Sequence, residues 1–147
     1  MKISDCLSLK DVFVDLRAAN KLQLLEELCR KIADKVPASS DDILDQILKR
    51  EQLGSTGMGS GVAIPHARLQ AVIKPLGILA RLKQPIDFDA IDGQPVDLVF
   101  LLLLPAKKES EQLGALAAIA RKMRSNEDLA GLRKAKNATE VHALLTT

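Results

Sequence analysis

Residues 96–105 read V-D-L-V-F-L-L-L-L-P, an apolar stretch interrupted only by Asp97 before Pro105 closes it. A strand with one wet face alternates apolar and polar residues. A run without alternation marks a strand covered on both faces, as in the centre of an α/β sheet. The run is also far shorter than the ~20 residues a membrane-spanning helix needs, so no membrane insertion is expected. Because such a strand requires helices above and below it, the predicted fold is a three-layer α/β/α sandwich.

The rest of the chain supplies the cover. Residues 12–16, V-F-V-D-L, are short and β-branched, as a strand requires. Asn20 is placed to cap a helix whose apolar positions Leu24, Leu25, Leu28, Ile32 and Val36 recur at helical spacing, with Pro37 as its stop. Ser40 is the predicted cap of a second helix, with Asp41 and Asp42 in the first turn where the macrodipole favours acids. Ile43, Leu44, Ile47 and Leu48 form its buried stripe, and its end delivers Arg50. Strands are predicted over 62–64 and 76–82, a turn over 89–95, and a helix over 111–123 with Leu113, Leu116, Ala117 and Ala120 on one side. Helices over 127–134 and 139–145 finish the chain. No linker or repeat interrupts this order, so residues 1–147 are expected to form one domain.

Composition removes several classes of function. With no Trp or Tyr and three Phe, the chain lacks the stacking platforms of single-stranded nucleic-acid binding. A formal charge of +2 is too weak a field for duplex binding. Cys6 and Cys29 are not in a CxxC pair and read as buried, reduced thiols. The N-terminus M-K-I-S-D-C-L lacks the apolar region of a signal peptide, and a cytoplasmic protein is expected.

The chemistry concentrates in residues 50–69, R-E-Q-L-G-S-T-G-M-G-S-G-V-A-I-P-H-A-R-L. Gly54, Gly57, Gly59 and Gly61 leave backbone N–H groups uncovered, and glycine-permitted conformations can turn such groups inward around an anion. Arg50 adds a planar, forked cation suited to phosphate oxygens. His66, behind Pro65, offers a neutral nitrogen nucleophile. An imidazole, an arginine, the Thr56 hydroxyl and an amide-rich loop are the parts needed to accept and hold a phosphoryl group. No cofactor or metal is required by that set.

Competing motifs fail. The loop lacks the Lys of a P-loop, and Val62 stands where the third glycine of a dinucleotide fingerprint belongs. Asp87, Asp89 and Asp92 have the wrong spacing for a calcium loop and read as turn acids. His142, on the last helix, is expected to be a solvated surface residue. No Ser or Cys has a base placed beside it for covalent hydrolysis.

The pattern R-E-x-L-x-S-T-x-x-G-x-G-x-A-I-P-H over residues 50–66 resembles the active-site segment of the enzyme IIA domains of the fructose/mannitol superfamily, in the bacterial phosphoenolpyruvate-dependent phosphotransferase system. Together with F-D-A-I-D-G-Q-P-V-D-L-V-F over 88–100, it is most similar to the nitrogen-regulatory type. The resemblance spans essentially the whole chain. It implies a mixed β-sheet flanked by helices and a phosphohistidine at His66, formed by transfer from a histidine phosphocarrier protein. It implies a phosphocarrier with a mainly regulatory role, acting through partners that include regulators of potassium transport. Two other readings stand beside it: a IIA subunit passing phosphate to a sugar-specific IIB domain, and a binding module that has lost phosphotransfer. The chain departs from the family at Ala67, where Gly is frequent, and at Gln112, where a second active-site histidine is usual. Gln112 can donate a hydrogen bond to phosphate but carries no charge or mobile proton.

Overall fold

The structure, a computed structural model, describes residues 2–107 and 110–147, with residues 110–113 described by backbone alone. After two 3₁₀ turns (Ile3–Asp5 and Leu9–Asp11), the order is β1 (Val12–Leu16), α1 (Lys21–Ala33), α2 (Ser40–Gln52), β2 (Gly57–Gly59), β3 (Val62–Ala63), β4 (His66–Leu69), β5 (Leu76–Ile86), β6 (Val96–Pro105), α3 (Ser110–Arg124), α4 (Asn126–Lys134) and α5 (Ala138–Thr146). The six strands form one mixed sheet in the order β1-β5-β6-β3-β2, with β4 also on β6. β5 is antiparallel to β6, whereas β1 lies parallel to β5 and β3 and β4 parallel to β6.

β6 is buried along its length apart from Asp97, and its side chains divide between two cores. Val99, Leu101 and Leu103 pack with Leu24, Leu28, Ile32, Ile43 and Ile47 of α1 and α2. Leu98, Phe100, Leu102 and Leu104 pack with Ile119, Met123, Leu132, Val141 and Leu145 of α3, α4 and α5. The three-layer sandwich expected from the apolar run is therefore the observed architecture. Each of these leucines, fully buried, contributes roughly 1.5–3 kcal/mol of transfer free energy.

Local signals set most element starts. Asn20 caps α1 through its side-chain oxygen, which accepts from Gln23 N at 2.9 Å. At α2 the cap is Ser39, whose Oγ accepts from Asp42 N at 3.1 Å; Ser40, the expected cap, is the first helical residue. Two adjacent serines offer the same chemistry, and the one with an extended backbone takes the role. α1 stops at Ala33, so Val36 packs against the core from the following turn rather than from the helix.

The apolar side read from the sequence of α3 is not the face it buries most deeply. Ala115, Ile119 and Met123 are its buried residues, Leu116 and Ala120 are half-buried and Ala117 is exposed, while the Leu113 side chain lies outside the described residues. The helix sequence L-G-A-L-A-A-I-A is apolar on nearly every face. Periodicity alone cannot choose between such faces, and packing against the sheet does. His142 also departs from expectation: it is half-buried, with Nε2 donating to the Leu7 carbonyl at 3.1 Å. The two cysteines are buried free thiols, their pKa values pushed by burial up to about 11 at Cys6 and about 12 at Cys29.

Gly77 on β5 lies beneath the Phe100 ring, where an added Cβ would come within 2.3 Å of a ring carbon. Phe100 is fully buried and has nowhere to retreat. We expect Gly77→Ala to destabilise the fold by about 1–3 kcal/mol, the usual cost of overpacking a core. Denaturant unfolding of the two proteins measures it.

Candidate functional site

The glycine-rich segment folds as a hairpin rather than an open loop. β2 and β3 pair antiparallel, with Gly59 opposite Val62 and Gly57 opposite Ala63 across a bulge. The connecting Ser60 and Gly61 both have positive φ, 58° and 78°, as a tight hairpin turn of the right twist demands. At Gly61 an added Cβ would meet the Arg133 guanidinium at 2.5 Å. That guanidinium, from α4, donates to the Ser60 carbonyl at 2.6 Å and to Asp97 on β6 at 2.9 Å. Asp92 accepts from Ser60 N at 3.1 Å and from Gln94 N at 3.0 Å, and Asp87 accepts from Asp89 N at 3.0 Å, so these two acids hold the backbone of the turn.

β3 and β4 are two pieces of one path alongside β6, broken at Ile64 and Pro65. Proline has no N–H to give a ladder, and the break turns the Ile64 carbonyl toward His66. His66 opens β4, and its Nδ1 lies 2.9 Å from that carbonyl. A carbonyl oxygen can only accept, so Nδ1 carries the proton. Nε2 is left with a lone pair and, among the described residues, with no hydrogen-bond partner. Burial holds the imidazole below its usual pKa, with Arg50 and Arg68 acting in the same direction. The bond to Ile64 and the Glu51 carboxylate oppose them without reversing the result. Arg50 does push the titration down, as its place in the sequence suggests, but desolvation is the larger cause.

His66 lies in a cleft of about 760 Å³ between the 55–58 segment and the outward face of α3. Arg50 lines it from the last turn of α2, with Nη1 donating to the Gly54 carbonyl at 2.8 Å. Thr56 and Gly57 line it as well, but their donors are already engaged. The Thr56 hydroxyl donates to Glu51 Oε2, Thr56 N donates to Glu51 Oε1 at 3.1 Å, and Gly57 N donates to Ser55 Oγ at 3.0 Å. Gly54 N and Ser60 N are likewise bonded within the protein. The amides of Gly54, Thr56, Gly57 and Ser60 therefore hold the segment in shape rather than standing open to an anion. Gly59 and Gly61, at the hairpin turn, are not among the residues lining the cleft. The side chain of Gln112 lies outside the described residues.

Two features escaped sequence reasoning. One is Glu51, nearly buried beneath the site, which gathers the two Thr56 donors and the Lys21 ammonium at 2.9 Å. Lys21 also lies over the Phe88 ring, 4.5 Å from its centre. Glu51 was visible beside Arg50 in the motif, but its partner thirty positions away had no local signal. The other is the pair Arg121 and Arg124, which enter the cleft from α3 below Leu116, Ala117 and Ala120. Their i, i+3 spacing puts them on one face. That face could be recognised only once the buried side of α3 was known.

The lowered imidazole pKa has a consequence for pH. Relative to an unfolded histidine near ~6.5, folded His66 holds its proton less tightly. Its contribution to stability is therefore intact above that value and falls as pH drops below it, where the unfolded chain binds the extra proton. Nitrogen NMR should find Nδ1 protonated in the neutral ring and a titration midpoint below ~6.5. A midpoint above that value, or a neutral ring protonated at Nε2, contradicts the geometry.

Comparison with known proteins places the whole chain in a family. Residues 5–147 match the family model described as phosphoenolpyruvate-dependent sugar phosphotransferase system, EIIA 2. A nitrogen regulatory protein of Bradyrhizobium diazoefficiens is 41% identical over 145 residues, covering 99% of this chain and 95% of that protein. One from Klebsiella oxytoca is 34% identical over 147 residues, covering 99% and 91%. The crystal structure of nitrogen regulatory protein IIA-Ntr from Neisseria meningitidis superposes with a TM-score of 0.94 at 37% identity, covering 98% of this chain and 99% of that one. With the hairpin, the broken strand and the histidine of its motif in place over nearly its whole length, this chain belongs to the EIIA 2 family of the phosphoenolpyruvate-dependent phosphotransferase system.

Proposed function

We propose that this protein is a phosphoryl-accepting regulator of the nitrogen-regulatory type, phosphorylated on Nε2 of His66 by a histidine phosphocarrier protein. The observation that carries this reading is the Nδ1···Ile64 O hydrogen bond of 2.9 Å, which leaves one nitrogen with a lone pair in a cleft beside Arg50. In the transfer, the P–N bond to the donor histidine breaks as the P–Nε2 bond forms. The donor ring, protonated on its other nitrogen, leaves as neutral imidazole. The positive charge that develops on the His66 ring is shared with Nδ1–H and stabilised by the Ile64 carbonyl. Little covalent work is left to the protein, and the rate depends on positioning and on charge stabilisation of the phosphoryl oxygens.

Arg50 is the residue placed to provide that stabilisation. Thr56 and Gly57 act through the shape of the wall, and the Lys21–Glu51–Thr56 network holds that wall against α2. Gln112 is assigned the second donor's place by its position in the sequence. Phosphorylation adds nearly two negative charges to a cleft of cations and apolar residues, enough to make or remove a docking site. The two curated relatives named above are nitrogen regulatory proteins, which supports a regulatory role over sugar delivery. In this reading the phosphorylation state is the signal, and regulators of potassium transport are among its targets.

Incubation with phosphoenolpyruvate, enzyme I and the phosphocarrier should give an acid-labile, base-stable phosphoryl group, located on His66 by mass spectrometry and absent from His66→Ala. Label persisting in that variant removes His66 from the mechanism, and rapid discharge on adding a sugar-specific IIB protein would redirect the reading to carbohydrate uptake. Arg50→Lys should slow transfer by roughly 10- to 1000-fold, as for the loss of one transition-state donor. Since Arg50 is only half-buried, the thermal midpoint should hardly move. A large loss of stability with unaltered transfer would make Arg50 a structural residue.

A further inference from the structure

The charges around His66 are segregated. Among the described residues, the cleft is lined by Arg50, Arg121 and Arg124 and by no Asp or Glu, in a chain with nearly equal numbers of basic and acidic residues, 21 and 19. Arg121 and Arg124 are exposed and have no ion-pair or hydrogen-bond partner among the described residues, whereas Lys122 between them is paired with Asp128 at 3.3 Å. Between these arginines and the hairpin the surface is apolar: Met58, Leu116 and Ile91, the last 86% exposed on the rim. An isoleucine held this far into solvent beside unpaired guanidinium groups has the anatomy of a protein interface, an apolar centre with a charged rim. A small anion would be served by the cations alone and would leave Ile91 and Leu116 wet.

We propose that Arg121 and Arg124 are specificity-determining docking residues, which select as phosphoryl donor a carrier protein with carboxylates beside its phosphohistidine and an apolar patch to cover Ile91 and Leu116. This rests on the function proposed above and adds the chemistry of the partner. Carboxylates opposite the two guanidinium groups speed encounter and set orientation, and a carrier with basic residues there meets like charge and is turned away. The same charges favour release. Before transfer, a carrier made more negative by its phosphoryl group faces three cations. Afterwards the carrier has lost nearly two negative charges and the cleft has gained them, so the attraction between the pair falls on both sides.

The test measures initial rates of His66 phosphorylation against the concentration of the phosphorylated carrier, at low and high ionic strength. It compares wild type with Arg121→Ala/Arg124→Ala and Arg121→Glu/Arg124→Glu. Wild-type KM should rise with salt, because salt screens the steering charges. The glutamate variant should show a KM raised by about 10- to 100-fold at low salt, the alanine variant an intermediate value, and both a saturated rate within about twofold of wild type. In the glutamate variant the salt dependence should reverse, since screening now relieves repulsion. Phosphoramidate, a small donor without a protein surface, tests His66 chemistry independently of docking. Unchanged KM and salt dependence in the glutamate variant overturn the proposal. So does a lowered saturated rate at constant KM, which would place the arginines on the transferring phosphoryl group. If phosphoramidate labels His66 while the carrier labels wild type and glutamate variant alike, docking selectivity fails and the phosphoryl site stands. If neither donor labels His66, the reading of the site fails and the docking proposal falls with it.

Discussion

β6 is the strand on which the rest of this structure depends. Covered by α1 and α2 on one face and by α3, α4 and α5 on the other, it is the member shared by both cores, through Val99, Leu101 and Leu103 on one side and Leu98, Phe100, Leu102 and Leu104 on the other. It also pairs on both edges, with β5 along one and with β3 and β4 along the other. A residue there is constrained by packing above and below and by hydrogen bonds left and right. Close-packed interiors transmit small displacements rather than absorb them, so whatever hangs on this strand is held in register.

His66 hangs on it. The path beside β6 is continuous in register but chemically interrupted at Ile64 and Pro65, and the ladder resumes through Leu102 N and the Pro65 carbonyl at 2.9 Å. At the interruption the Ile64 carbonyl is free to accept from the imidazole, so one defect in a regular edge sets both the tautomer and the direction of the ring. Rigid strands on either side of an irregular residue fix a side chain better than a loop does. The hairpin before it is secured at its two ends by different devices: Glu51 and Ser55 at the cleft, and Arg133 and Asp92 at the turn.

The motif over residues 50–66 therefore mixes two jobs that look alike in one dimension. Its glycines suggest an anion cradle, because glycine-rich segments before a reactive residue often bind phosphate through their amides. In three dimensions Gly59 and Gly61 make a hairpin turn and a gap for Arg133, and the amides of Thr56 and Gly57 in the cleft wall are engaged within the protein. The cationic character of the cleft comes from side chains instead: Arg50 from α2, and Arg121 and Arg124 from α3.

Patterns that need only near neighbours were legible in the sequence. The unbroken run of β6 implied cover on both faces and hence the sandwich. Asn20 marked the start of α1, and the single well-placed imidazole marked the cleft. Where two local choices were equal, at Ser39 against Ser40 or around the apolar circumference of α3, the sequence had no means to decide, and packing chose. The short strands β2 and β4 were invisible for a related reason, since three or four residues carry little periodicity and become strands only by pairing with β3 and β6. By itself the sequence determined the layers, the central strand and which imidazole stands in the cleft, because burial and side-chain chemistry act position by position. Tertiary structure alone decided which nitrogen of His66 is free, which donors of the glycine segment are already engaged, and that Glu51, Lys21, Arg121 and Arg124 belong to the same site. Those depend on distances between residues far apart in the chain, which exist only after the sheet has closed on β6.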